Sequence, residues 1–266
     1  MPLMDGGSVL VKTGMVLRRA GGVPRFFGRL LLDTLYPPLC LNCEAPVGDA
    51  DALCAACFRQ LRPITAPYCP RLGLPFQNPL GPDALSAEAI ADPPPFDRAR
   101  SAVIYNDVVR AIVARMKYGD RPELARFCAR LMAGAAADLW AGRPILLPVP
   151  LHPLRLAGRR YNQSLELARA LARLTGLAVD PSLVRRVRRT RQQVGLSAEA
   201  RVRNVAGAFA AHPEVLARSG GRPIVIVDDV ITTGSTVKAI TRALGKAGVA
   251  HVDVVSFARV VPGFDS

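Results

Sequence analysis

Ile224-Val-Ile-Val-Asp-Asp-Val-Ile-Thr-Thr-Gly-Ser-Thr236 is the stretch from which the rest of this chain is best read. Four β-branched residues in a row predict a fully buried strand. The strand ends on two adjacent carboxylates, Asp228 and Asp229, and a short Thr/Gly/Ser turn leads into a helix predicted over Val237–Ala247. A strand, a tight polar turn and a helix N-terminus make a phosphate cradle, because the turn's N–H groups and the positive end of the helix dipole converge on one anion. The hydroxyls of Thr232, Thr233, Ser235 and Thr236 add donors, and Gly234 lets the backbone approach closely. The two acids repel phosphate, so they should face ribose hydroxyls or a Mg²⁺ ion. The pattern therefore predicts a ligand in which a sugar adjoins a phosphate. A Walker-type loop would need a Gly-Lys-Ser/Thr ending that is missing here. A phosphorelay receiver would carry its acid pair near the N-terminus, whereas only Ala247–Ser266 follow this helix.

The segment resembles the phosphoribosyl-diphosphate (PRPP) signature of type I phosphoribosyltransferases. The resemblance implies that Asp228 and Asp229 are the catalytic pair and bind the ribose 2′- and 3′-hydroxyls. It also implies that Val230, Thr232, Thr233, Gly234, Ser235 and Thr236 surround the 5′-phosphate.

With 266 residues, half of them hydrophobic, the chain can bury a core for one main domain and a small accessory one. No apolar run reaches the length of a membrane span and no signal peptide is evident, so a cytoplasmic protein is expected. The formal charge of +14 favours polyanionic partners, nucleic acid or phosphorylated small molecules. Lysine occurs only at Lys12, Lys117, Lys238 and Lys246, so the excess is arginine, clustered at Arg185, Arg186, Arg188, Arg189 and Arg191.

Cys40-Leu-Asn-Cys43 and Cys54-Ala-Ala-Cys57 form two Cys-x-x-Cys knuckles ten residues apart. Each knuckle turns two thiolates toward one tetrahedral metal, and four protein ligands predict a closed, structural Zn²⁺ site. Redox-active dithiols would need a βαβ context that this segment lacks. Cys69 stands alone, with Leu72 where a partner cysteine would sit, and residues 77–95 bring no further cysteine. This stretch reads as a linker or as a decayed second knuckle. Cys128, on a helix predicted over Glu123–Leu139, reads as a small core residue.

Further strands are predicted over Ser101–Tyr105, Pro144–Val149, Ala206–Ala210 and His251–Arg259. Helices are predicted over Val108–Lys117 and Tyr161–Leu174, the latter with a stripe of Leu165, Leu167, Ala168, Leu171 and Leu174. Alternating strands and helices predict an α/β fold: a mainly parallel sheet flanked by helices, with ligands at the carboxyl ends of its strands.

Several blocks together resemble the ComF family, which joins a zinc-ribbon-like N-terminus to a type I phosphoribosyltransferase-like domain. The blocks are Leu35–Cys40, Met116-Lys-Tyr-Gly119, Pro148–Pro153 with Arg159–Ser164, and Arg186…Thr190…Gln193…Leu196…Arg201…Asn204. Two departures stand out: family members often carry further Cys-x-x-Cys pairs, and Arg160 replaces a usual glycine. The resemblance implies a diphosphate loop at Pro148–Leu151, including Pro150 and Leu151, and a closing hood over Arg189–Arg201. It adds Lys117, Arg160, Asn162, Gln163 and Arg189 as PRPP contacts and Mg²⁺ as the ligand's companion ion. Bland readings stand beside these. Lys117 can cap its helix, Asn162 can be an N-cap, and the arginines can form a solvated loop. His152 and His212 have no companion at metal-ligand spacing.

The expected map is an extension over 1–30, a zinc-ribbon-like module over 31–76, a linker over 77–98 and a phosphoribosyltransferase-like domain over 99–266. The expected function is PRPP binding, with transfer of phosphoribosyl to a nitrogen acceptor. The alternative is a non-catalytic competence or DNA-uptake adaptor that binds single-stranded DNA or a protein of the competence machinery.

Overall fold

The computed structural model describes residues 37–78, 80, 81, 83–118, 123–151, 161–188, 190 and 197–263. Two short helices, α1 (Ala55–Arg59) and α2 (Ala87–Ala91), precede strand β1 (Ala99–Ile104). Helices α3 (Asp107–Tyr118) and α4 (Glu123–Ala135) then lead to β2 (Ile145–Pro148), α5 (Gln163–Thr175) and β3 (Ala178–Val179). After β4 (Val184–Arg186), α6 (Ala198–Val205), β5 (Phe209–Ala211) and α7 (Val215–Ser219), the chain closes with β6 (Ile224–Ile231), α8 (Ser235–Lys246) and β7 (Val252–Arg259).

Five strands form one sheet in the order β1-β7-β6-β2-β3, and every pairing in it is parallel. This is the mainly parallel α/β sheet that the alternation of elements predicts. β6 lies inside because Ile224, Val225, Ile226 and Val227 are all fully buried, their side chains alternating between the two faces. One face packs on α3, α4 and α5 through Ile112, Met116, Leu124, Met132, Leu167 and Leu171. The other packs on α8 through Val237, Ile240 and Leu244. Cys128 is fully buried in the first of these layers, as a core residue should be.

β2 and β6 are neighbours at the centre of the sheet, in register from Ile145↔Ile224 to Pro148↔Val227. From β2 the chain crosses through α5 to β3 on one side. From β6 it crosses through α8 to β7 on the other. The connections leaving these two carboxyl ends therefore diverge, and a crevice opens between them, where open α/β sheets hold ligands.

Several elements differ from expectation. α4 stops at Ala135 and gives way to a 3₁₀ turn, Ala137–Leu139, because the alanine-rich sequence carries no strong end signal. Leu174 is 53% exposed; it lies in the last turn of α5, just before the chain turns away at Gly176 (φ 69°). The expected strand over Ala206–Ala210 shifts to Phe209–Ala211 and joins β4 in an antiparallel pair outside the main sheet. Ala206 is instead the C-cap of α6.

The cysteine-rich segment covers the exposed edge of β1. Pro63 bridges to Val103, Ile64 donates its N–H to the Ala102 carbonyl, and Ala99 donates to the Arg71 carbonyl. An edge strand otherwise presents unpaired polar groups to any passing strand. Arg100, almost fully buried, donates to the carbonyls of Pro70 and Ala99 and pairs with Asp138 at 2.8 Å. Within residues 77–98, the expected linker, lie α2 and the buried Phe96.

Candidate functional site

β6 delivers Asp228 and Asp229 to the crevice. The Oδ1 of Asp228 accepts from its neighbour's N–H (Asp229) at 2.9 Å and from the Ser164 hydroxyl at 3.2 Å. The Oδ1 of Asp229 accepts from the Val230 N–H at 2.8 Å, and its Oδ2 pairs with Lys117 Nζ at 2.7 Å. Two carboxylates are thus held by a hydroxyl from α5 and an ammonium from the end of α3. Burial, and then the negative charge of Asp229, raise the Asp228 carboxyl to about 8, against the opposing pull of the Asp229 N–H, Lys117 and Ser164.

The turn after β6 is shaped as the sequence predicts. Gly234 takes φ 71°, in the left-handed region that glycine adopts without a Cβ penalty, and occupies the N-cap of α8 with no side-chain cap. The first N–H groups of α8 therefore keep donors for an incoming anion. Ser235 is buried and its hydroxyl has no hydrogen-bond partner among the described residues. Its N–H is 3.4 Å from Thr233 Oγ1. Thr232, Thr233 and Thr236 are half-buried around the same turn.

The loop after β2 is the other wall. Val149 donates to the Val227 carbonyl at 3.0 Å, and Pro150 and Leu151 follow it at the carboxyl end of β2. Asn162 ties this loop to α5: its Nδ2 donates to the Val149 carbonyl at 3.1 Å, and its Oδ1 accepts the Ser164 N–H at 3.1 Å as the N-cap. Gln163 is buried, with its amide donating to the Tyr161 carbonyl. The Tyr161 hydroxyl donates to the Met116 carbonyl at 2.5 Å, anchoring the residue beside Lys117.

The fold thus brings together Lys117, Asn162, Gln163, Asp228, Asp229, Val230 and the Thr232–Thr236 turn, with Pro150 and Leu151 at the end of the neighbouring strand β2. Arg160, Arg189, Arg191, His152 and most of the expected hood lie outside the described residues. Of the arginine cluster, Arg186 bonds to Thr190 and stacks 5.3 Å over the Phe209 ring, and Arg188 donates to the carbonyls of Asn204 and Ala206. Arg186 thus braces the β4–β5 pair and Arg188 the end of α6, while Arg185 is exposed. The residue missing from the expected site is Ser164. Its signal was the Asn-Gln-Ser run at the start of α5, but its partner Asp228 lies sixty-four residues away.

The second cluster is the four-cysteine set. The Sγ atoms of Cys40, Cys43, Cys54 and Cys57 all lie within 4.8 Å of one another, and Cys43 and Cys54 are 3.6 Å apart. Tetrahedral zinc with bonds of about 2.3 Å places its sulfurs roughly 3.8 Å apart, so the set fits the ion. The Cys54 N–H donates to Cys40 Sγ at 3.2 Å and Asn42 Nδ2 to Cys57 Sγ at 3.3 Å, bonds of the kind that orient thiolate ligands.

Residues 31–90 match the double zinc ribbon domain and residues 117–261 the phosphoribosyl transferase domain. A DNA utilization protein, YhgH, of Salmonella typhi is 35% identical over 231 residues, which are 85% of this chain and 98% of that protein. Competence protein F of Haemophilus influenzae is 30% identical over 230 residues, 83% of this chain and 96% of that one. This chain belongs to the ComF family. A hypoxanthine/guanine phosphoribosyltransferase of Methanobacterium lacus is 35% identical over 90 residues, 34% of this chain and 44% of that enzyme. For a ComF protein the pairing of a zinc-binding ribbon with a phosphoribosyltransferase-type sheet is thus established by sequence and fold together. Among the described residues, no helix is long and apolar enough to cross a membrane.

Proposed function

We propose that this ComF protein binds PRPP, or a closely related phosphorylated ribose, in the crevice between β2 and β6. The observation that carries this reading is the juxtaposition of the Asp228–Asp229 pair with an uncapped, hydroxyl-lined helix N-terminus. The carboxylates suit the ribose 2′- and 3′-hydroxyls. The N–H groups and hydroxyls of Thr232–Thr236 suit the 5′-phosphate. Pro150 and Leu151, with Lys117 at the rim, are assigned to the diphosphate side. Arg160, Arg189, Asn162 and Gln163 complete the proposed contacts, Asn162 and Gln163 by shaping the loop that ends β2.

The same carboxylate oxygens suit a hard divalent cation, and Mg²⁺ bound with the ligand would neutralise charge on a departing diphosphate. In the proposed reaction a nitrogen nucleophile forms a bond to C1 of the ribose as the bond to diphosphate breaks. The protein's share is to hold ribose and phosphate still, to offer cations to the leaving group and to exclude water. Incubating labelled PRPP with the protein and a panel of purine, pyrimidine and amine acceptors tests this. Acceptor-dependent diphosphate release is expected, and its loss in Asp229→Asn is the control. Release from no acceptor, with PRPP still bound, would reduce the proposal to a binding module.

The names of the relatives favour a second reading, a DNA-uptake adaptor that binds single-stranded DNA or a competence-machinery protein. Arg186 and Arg188 are engaged within the fold, which weakens the arginine cluster as a DNA-binding surface. Salt-dependent binding of labelled single-stranded DNA, reduced by Arg185→Ala, would support that alternative. The proposed division keeps an extension over 1–30 and a phosphoribosyltransferase-like domain over 99–266. The stretch between them is the ribbon region, rather than a ribbon over 31–76 and a linker over 77–98, since 77–98 holds α2 and the buried Phe96. A cytoplasmic location is proposed as the setting that keeps the thiols reduced.

A further inference from the structure

The segment after the zinc site repeats its geometry without its ligands. Cys40 and Cys43 stand 29 residues before Cys69 and Leu72, and Cys54 and Cys57 stand 32 residues before Ser86 and Ala89. In the first ribbon Leu39 bridges to Pro46, the Cys40 N–H donates to the Ala45 carbonyl at 2.8 Å, and the Glu44 N–H donates back to the Cys40 carbonyl. In the second, Tyr68 bridges to Pro75, the Cys69 N–H donates to the Leu74 carbonyl at 2.8 Å, and the Gly73 N–H donates back to the Cys69 carbonyl. Glu44 and Gly73, at matching positions, both take φ 63°. The Cys54 N–H donates to Cys40 Sγ and Cys54 N-caps α1; the Ser86 N–H donates to Cys69 Sγ at 3.4 Å and Ser86 N-caps α2.

The four positions that would hold a second metal are therefore Cys69, Leu72, Ser86 and Ala89, a donor set that does not fit zinc. Leu72 and Ala89 are buried in the layer shared with β6 and α8, where apolar contact takes the place of ligation. The Ser86 hydroxyl accepts the Ala89 N–H as a helix cap. Cys69 is fully buried. Burial opposes its thiolate, but the N–H groups of Leu72 and Ser86 prevail and lower its pKa.

We propose that residues 68–91 are a second ribbon whose metal has been replaced by a hydrophobic plug, so that the chain binds one zinc, in the first ribbon alone, while the second keeps a knuckle able to take zinc once its thiols are restored. The retained knuckle serves the sheet. The Arg71 carbonyl accepts the Ala99 N–H, and Gly73 lies so close to β1 that a Cβ there would come within 2.5 Å of the Ala99 oxygen. The edge of β1 is thereby covered by a module that does not need metal.

Elemental analysis of the full chain tests this, with Cys69→Ala and the triple variant L72C/S86C/A89C alongside. One zinc per chain is expected in the wild type and in C69A, and two in the triple variant. Cobalt titration should show the thiolate charge-transfer band saturating at one equivalent in the first two proteins and at two in the third. Two zincs in the wild type, or loss of zinc in C69A, would overturn the proposal. So would a triple variant with wild-type circular dichroism that still holds one metal. If that variant does not fold, the wild-type and C69A counts still decide whether the second ribbon is metal-free.

Discussion

Replacing Asp228 by asparagine should stabilise this protein, although the residue lies at the heart of its proposed site. The carboxyl sits beside Asp229 and rises from the ordinary 3.8 to about 8, first through burial and then through the neighbouring charge. At about 1.4 kcal/mol per pH unit, that interval corresponds to roughly 5–6 kcal/mol of native-state penalty when the group is ionised. Asp228 keeps part of its surface in water, which reduces the penalty, and we expect Asp228→Asn to gain about 1–3 kcal/mol at pH 8–9. Asparagine keeps an acceptor for the Ser164 hydroxyl and the Asp229 N–H and turns its amide donors toward the remaining carboxylate. For a chain of this size the gain is a rise in Tm of about 3–10 °C. The sign follows from linkage. A carboxyl with a raised native pKa binds its proton more tightly in the folded state, so stability is lost as pH climbs from the unfolded value toward the folded one. The difference between D228N and wild type should therefore vanish near pH 4, grow steadily and level off above pH 8. Thermal melts followed by circular dichroism across pH 4–9 measure it. A D228N protein no more stable than wild type at pH 8–9, or a difference independent of pH, would refute the reasoning.

Two further outcomes follow from the same geometry. Lys117→Met removes the ammonium 2.7 Å from Asp229 and leaves that carboxylate without its cation beside Asp228; for this partly buried pair a loss of about 1–3 kcal/mol is expected in urea denaturation at pH 8–9, where Asp228 also ionises, part of it recovered in the double variant with D228N. Gly73→Ala forces φ 63° on an alanine and a Cβ to within 2.5 Å of the Ala99 oxygen, so a loss of more than about 2 kcal/mol is expected, read as a fall in the urea midpoint.

How far the sequence could be read depended on how local each feature was. The strand, acid pair and turn of residues 224–236 are contiguous, so their hydrophobic run, charge and glycine suffice to spell out the geometry. The Cys-x-x-Cys pairs were equally plain, since each knuckle is complete within four residues. The contact between Ser164 and Asp228 was not visible, because it depends on α5 packing across the face of the sheet beside β6. The Lys117–Asp229 pair was hidden for the same reason: the local pattern offered a helix cap, and the tertiary fold supplied a carboxylate. The second ribbon kept one cysteine, Cys69, with Leu72, Ser86 and Ala89 at its other metal positions, so the sequence left a decayed knuckle and a linker side by side. The repeated hydrogen bonds around Cys69 decide between them in favour of the ribbon. The antiparallel β4–β5 pair escaped because three-residue strands carry too little periodicity to be told from loop.

The central claim is that Asp228, Asp229 and the Thr232–Thr236 turn form a working ribose-phosphate site. Calorimetric titration of the zinc-loaded protein with PRPP and Mg²⁺, beside a folded D228A/D229A variant, tests it most directly. The account predicts saturable binding near one ligand per chain in the wild type and none in the variant. Absence of binding by the folded wild type, or equal binding by both proteins, would contradict it.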